Sequence, residues 1–203
     1  MKKRTFRISA VVGACALAAV AVTAGNSFAA SAPAPKAPAA VPDAAAAQAD
    51  GFVGGRLDVP AAIAVPDGNK LDSVFKAKGV QIYGCAANAW TLIEPAATLT
   101  GITLKPVKKV NAIHYRGPSW QSDSDGTLVE GTAPKSAPSA TPNSIAQLLV
   151  TAKISRGEGT FGGVTFIQRL ATVGGVAPTT ATCTDGDRVS VRYTAVYRFF
   201  KKA

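Results

Sequence analysis

His114 is the chain's only histidine and therefore its only imidazole for acid–base or metal chemistry. Asp123, Asp125 and Glu130 follow it in sequence. One reading is thus a small secreted hydrolase or metal-dependent enzyme that uses His114 with these carboxylates. A catalytic zinc takes three protein ligands, commonly several of them histidines, so a lone His114 with acids is a thin set. Asp123-Ser124-Asp125-Gly126 has the start of a calcium loop, which makes Asp123 and Asp125 the candidate metal ligands. An EF-hand loop also needs a glutamate six residues beyond its glycine, and that position is Thr132. Asp125-Gly126, set between Trp120 and Leu128-Val129, reads better as a hairpin turn.

Gly157-Glu158-Gly159-Thr160-Phe161-Gly162 spells the dinucleotide fingerprint. That motif binds pyrophosphate only between a strand and the N-terminus of a helix. Here the next residues alternate as a strand and no βαβ pattern surrounds them, so a nucleotide-dependent oxidoreductase is excluded on context. Ser119 lies in Gly117-Pro118-Ser119-Trp120-Gln121, which lacks the second glycine of a nucleophile elbow. Glu94, Glu130 and Glu158 are the only glutamates, and nothing in the sequence pairs them for glycoside hydrolysis. No residue is assigned a catalytic role, and no cofactor is expected.

Two groups suit binding better than catalysis. Gln168 and Arg169 precede a stretch in which Gly174, Gly175 and Pro178 demand special backbone angles. That makes Gln168, Arg169, Gly174 and Gly175 a candidate binding loop, since loops fixed on a rigid sheet often carry function. Lys105, Lys108 and Lys109 form the tightest basic cluster, with Arg198, Lys201 and Lys202 near the C-terminus. Nucleic-acid binding would want a denser basic face interleaved with aromatics, so no nucleic-acid partner is expected. The partner expected instead is a polyanionic cell-wall polymer, a carbohydrate or a protein.

The elements that must hold these residues read as strands. Val189, Val191, Tyr193, Ala195, Tyr197 and Phe199 fall on one face, against Ser190, Arg192, Thr194 and Arg198 on the other. Alternation of period two in β-branched and aromatic residues marks a half-buried strand. Residues 163–171 alternate likewise, with Val164, Phe166, Gln168 and Leu170 set against Thr165, Ile167 and Arg169. Residues 80–83 and 90–93 are further strands, and 102–104 and 112–115 are shorter ones. Residues 143–154 are the one stretch that suits a helix, capped by Ser144, although the same run also suits a buried strand. Many short strands with Gly/Pro punctuation predict an all-β antiparallel sandwich or barrel with at most one short helix.

Lys2, Lys3, Arg4 and Arg7 precede an apolar run over 8–22, and Ser27-Phe28-Ala29 supplies small residues for cleavage. The run is short for a bilayer span, which needs about 20 apolar residues. Residues 1–29 therefore read as an export signal, with no transmembrane segment after its removal. Residues 30–55 read as an Ala/Pro-rich disordered linker, and 56–203 as the β-rich domain. Removing the signal leaves 18 basic and 12 acidic residues, a net charge of +6. It also leaves Cys85 and Cys183, which in an oxidising compartment most simply form one disulfide. The expected location is secreted or extracellular, with cell-wall association.

Several segments, in order, resemble a known family. They are GVQIYGC (79–85), GPSW (117–120), DGTLVEG (125–131), FIQRLATVGGVAP (166–178) with Cys183, and YTAVYRFF (193–200). Together they resemble the secreted bacterial and fungal proteins grouped as domain of unknown function 3455, over most of 59–200. The chain has Ala146-Gln147 where a tryptophan is common in that family. The resemblance implies an exported β-rich domain with no established activity, and it supplies no catalytic residues. The leading expectation is a secreted or cell-envelope β-domain acting as a non-catalytic binding or structural module.

Overall fold

The structure is a computed structural model that describes residues 44–178 and 183–203. The export-signal reading of 1–29 lies outside the described residues. Eight strands form one closed antiparallel barrel in simple up-and-down order. They are β1 (Asn69–Ala86), β2 (Ala89–Leu104), β3 (Val107–Tyr115), β4 (Ser119–Ser122), β5 (Leu128–Ala137), β6 (Gln147–Arg156), β7 (Val164–Gly174) and β8 (Arg188–Lys202). β1 pairs with both β2 and β8, which closes the sheet and leaves neither terminal strand as an open edge. Of the sandwich and the barrel, both compatible with the alternation, the chain adopts the barrel.

The alternation decides what fills it. On β1, Phe75, Ala77, Gln81, Tyr83 and Cys85 are buried, while Lys76 and Lys78 face away. On β8, Tyr193, Ala195, Tyr197 and Phe199 point inward, as the period-two pattern requires. The interior is packed with side chains rather than open. Phe75, Phe161 and Phe199 form a ring cluster with centroids 4.6–5.6 Å apart. Trp120 adds an edge contact to Phe199 at 6.0 Å. Such tilted and edge-on pairs contribute about 0.5–1.5 kcal/mol each beyond the area they bury.

Two outward faces are also apolar, and each has its own cover. Val74, Leu104 and Val196 lie under helix α1 (Ala44–Val53), whose Ala45 and Ala49 are buried against them. Ala137, Leu149 and Leu170 lie under Ile63, in the short 3-10 turn Ala61–Ile63, with Leu57, Val59 and Val65 around it. Residues 44–53, within the segment expected to be linker, are thus helix. Ala45 and Ala49, one turn apart, let the helix backbone approach the sheet closely. Asp50 secures it with a 2.7 Å ion pair to Arg198, whose pKa burial lowers despite the favourable carboxylate. Residues 143–154, the stretch that suited a helix, contain β6 instead, and α1 is the single α-helix among the described residues. Among the described residues, no helix is long and apolar enough to cross a membrane.

Cys85 and Cys183 form a disulfide with Cα atoms 5.9 Å apart. It ties the end of β1 to the approach of β8. The same corner is stitched by Cys85 N–H to Asp187 O at 2.9 Å and Gly186 N–H to Cys85 O at 3.1 Å.

Candidate functional site

His114 sits inside the barrel, because inward positions on β3 are Val110, Ala112 and His114. Its ring stacks on Trp120 at 4.4 Å, 2° from parallel, and meets Tyr197 edge-on at 5.4 Å. Nδ1 lies 2.8 Å from Ser119 O, so it carries the proton and donates, leaving Nε2 as an acceptor. Burial lowers the imidazole pKa to about 4; the Ser119 carbonyl favours the charged form, and the nearby Arg169 charge opposes it. At neutral pH the ring is therefore an uncharged core residue, with no carboxylate partner among the described residues. The sequence suggested His114 with Asp123 and Asp125, but the structure does not join them. Among the described residues, no three His, Cys, Asp or Glu side chains gather as a metal site would require.

Asp125 has another occupation. Oδ1 accepts from Thr127 N–H at 3.1 Å and from its hydroxyl at 2.6 Å. Oδ2 accepts from Thr160 N–H and Thr160 Oγ1, both at 2.8 Å. Burial alone would raise the carboxyl pKa, but these four donors outweigh it and hold the group well below the usual carboxylate range. All its strong acceptor directions are spent inside the protein. The carboxylate pins the β4–β5 turn to the loop before β7, and Phe161 N–H donates to Thr127 Oγ1 at 3.0 Å as its ring enters the core. The apparent dinucleotide fingerprint is that loop. Gly159 has φ +147°, and a side chain there would come 2.5 Å from Asp125 Oδ2, so a carboxylate's approach, not a pyrophosphate's, requires the glycine. Asp123 remains exposed at the turn.

The four residues of the candidate binding loop separate. Gln168 turns outward and is buried beneath the covering segment, donating from Nε2 to Ile63 O at 2.8 Å. Arg169 turns inward, its Nε and Nη2 donating to Ala146 O at 3.1 and 2.9 Å. Gly174 lines an outer groove of about 440 Å³ with Lys78, Val80, Val173 and Arg192. Gly175, at φ +83°, folds against the barrel mouth, where a side chain would collide with Tyr193 and crowd Ile145 and Gln81. Its carbonyl accepts from Tyr83 Oη at 2.6 Å. Burial raises the pKa of Tyr83, Tyr193 and Tyr197, and Arg169 acts in the opposite sense on each.

A concentration of charge lies at one end of the barrel, in a cup of about 430 Å³. The β2–β3 hairpin brings Lys105, Lys108 and Lys109 to its rim, and strand pairing brings Lys201 from β8. Thr103, Ser124 and Thr160 add polar walls. Two carboxylates also line it, and both are already engaged. Asp72 pairs with Lys201 at 3.3 Å, and Asp125 is held by its four donors. Lys105, Lys108 and Lys109 are exposed, and none of them belongs to the ion pairs found among the described residues. The cup therefore offers net positive charge to solvent. Sequence proximity revealed three of its lysines. Asp72, Thr160 and Lys201 could be added only once the strand order was known.

A family model described as a protein of unknown function (DUF3455) matches residues 66–201, which spans all eight strands almost to their ends. No curated protein and no solved structure matches the chain.

Proposed function

The chain belongs to the DUF3455 family, whose function is unknown, and from that premise we propose that it is an exported cell-envelope domain that binds an anionic wall polymer without catalysis. The observation that carries this reading is the cup at the β2–β3 end. Among the described residues, three lysines around it have no ion-pair partner, while of its two carboxylates Asp72 is paired with Lys201 and Asp125, still charged, is held by four internal donors, so lysines outnumber carboxylates at the rim. Ammonium groups on flexible stems suit repeated anionic groups on a polymer, which need charge rather than a fixed fork geometry. Export is supported by the basic and apolar N-terminal sequence and by the disulfide, since disulfides persist in oxidising compartments. The hydrolase reading built on His114 is not favoured. Its imidazole is enclosed by Trp120 and Tyr197, and Asp125 already has four donors.

Affinity capture on immobilised long-chain polyphosphate and polygalacturonate tests this. The disulfide-bonded protein is expected to be retained at low ionic strength and released as salt shortens the Debye length toward about 8 Å. Replacing Lys105, Lys108 and Lys109 together by Glu is expected to weaken retention by about tenfold or more, since it reverses the local field. Retention equal to wild type in that triple variant, or no retention of wild type at low salt, would defeat the reading.

A further inference from the structure

The outer face of the barrel carries a second basic groove, and its walls differ from those of the lysine cup. Its position follows from a bulge in β7. The β7–β8 register steps from Leu170–Val196 to Val173–Thr194, so Ala171 and Thr172 together face the single Ala195. A bulge bends its strand and increases the local twist. Ala171 absorbs it at φ +46°, a left-handed conformation uncommon for a residue with a side chain. Beside the bulge lies the groove of about 440 Å³, lined by Val173 and Gly174 of β7, Arg192 and Thr194 of β8, and Lys78 and Val80 of β1. A neighbouring groove of about 470 Å³ shares Lys78 and Thr194 with it and reaches Ala171 and Val196. Small-molecule sites commonly occupy about 300–1,000 Å³.

The charge in this trough is unmatched. Across the β1–β8 ladder Lys78 pairs with Thr194 and Val80 with Arg192, so the exposed Lys78 and Arg192 are diagonal neighbours on one face. Diagonal positions lie about 7–8 Å apart, within reach of long side chains. Neither cation belongs to an ion pair among the described residues, and no carboxylate lines either groove. Lys76, the third cation of the trough, is turned instead onto the Phe52 ring of α1, 5.2 Å from its centroid. Around the two remaining cations the surface is apolar. Val173 is 50% exposed, and Gly79 and Gly174 present no side chain. Thr103, Ser124 and Thr160 wall the cup, whereas valine and glycine predominate here.

We infer that this trough binds a free, single-chain amphiphile with a carboxylate head, the head held between Lys78 and Arg192 and the alkyl chain laid over Val80 and Val173 toward Ala171. Charge and walls together select the class. A carboxylate between two diagonal cations is attracted by both, and the arginine offers it two parallel donors. A bare inorganic anion would leave Val173 in water, whereas each methylene of a chain that covers it adds to affinity. Residues 76–80 of β1 give the trough roughly 13 Å of length at the rise of an extended strand, which suits a chain of medium length. A hydrated polyanion finds no such apolar floor in the cup, and the cup shares no residue with the trough.

Calorimetric titration of the disulfide-bonded protein with sodium decanoate, kept below its micelle concentration and at constant ionic strength, tests this. Decanoate is expected to saturate at one molecule per protein. Sodium acetate supplies the head without the chain, decyl maltoside the chain without the charge, and decyltrimethylammonium the chain with the opposite charge. Each is expected to bind at least about tenfold more weakly, since every one lacks half of what the trough offers. The Lys78→Glu/Arg192→Glu double variant is expected to lose at least about tenfold in decanoate affinity, and Val173→Asp severalfold. All three positions are exposed, so the variants are expected to unfold at the wild-type denaturant midpoint. The Lys105/Lys108/Lys109→Glu triple variant is expected to bind decanoate as wild type does, so failure of the cup and failure of the trough are read separately. No saturable decanoate binding, equal binding of acetate or decyl maltoside, or unchanged affinity in the folded trough variants would overturn the proposal. Recruitment to phosphatidylglycerol vesicles without binding of monomeric decanoate would assign the face to a membrane and overturn it too.

Discussion

Removing the Cys85–Cys183 bond is expected to lower the unfolding free energy by about 4–5 kcal/mol, because the bond closes a loop of nearly one hundred residues in the unfolded chain. The sequence separation is 98. Within that span lie β2 to β7, so the reduced unfolded chain regains the freedom of most of the domain. The native state should change little. The β1–β8 ladder runs from Asn69 and Lys202 to Gly84 and Arg188 without help from the sulfurs. The corner also keeps its backbone bonds between Cys85 and residues 186–187. Equilibrium denaturant unfolding of the Cys85→Ala/Cys183→Ala double variant, compared with the oxidised wild type, reads the difference directly. A loss below about 1 kcal/mol would mean that the link does not restrict the unfolded ensemble as a long loop should.

What the sequence revealed and what it hid have one physical cause. Period-two alternation reports which residues face a dense core, and on β8 it separates Tyr193, Tyr197 and Phe199 from Arg192 and Thr194. It does not report that an outward face is covered. Val196 breaks the polar face of β8 because α1 lies over it, and Phe166, Gln168 and Leu170 look like a core face because residues 57–65 cover them. Beyond the register shift that follows Val164, which itself joins the core, the inward residues of β7 are Ile167 and Arg169, the set that looked more polar. Helix α1 was hidden because its packing face is mostly alanine, and small side chains give no hydrophobic stripe while still permitting close contact. The candidate site divides similarly. Lysines adjacent in sequence were legible, but the engaged carboxylate of Asp125 and the inward turn of Arg169 depend on which strands pair.

His114 carries the second large effect, and its sign follows from where the proton goes. In the unfolded chain the imidazole titrates near its ordinary value of 6.5; in the barrel, burial beside Trp120 and Tyr197 and the Arg169 charge holds it down to about 4. Above pH 6.5 neither state is protonated and the group is neutral toward stability. Between 6.5 and 4 the unfolded state binds the proton and the native state refuses it, so stability falls as pH falls. The slope approaches 1.4 kcal/mol per pH unit and the total loss is about 3 kcal/mol. The window belongs to this residue because the chain has no other histidine. Asp125, whose native pKa lies well below the carboxylate range, begins to withdraw its own stabilisation only as pH drops past about 4. Denaturant midpoints measured from about pH 7.5 down to about pH 4.5 should therefore show a decline that flattens in His114→Gln. The slope is the readout, since the variant also loses the Ser119 hydrogen bond and the Trp120 stack and is less stable throughout. A decline that persists unchanged in the folded variant would place the proton elsewhere.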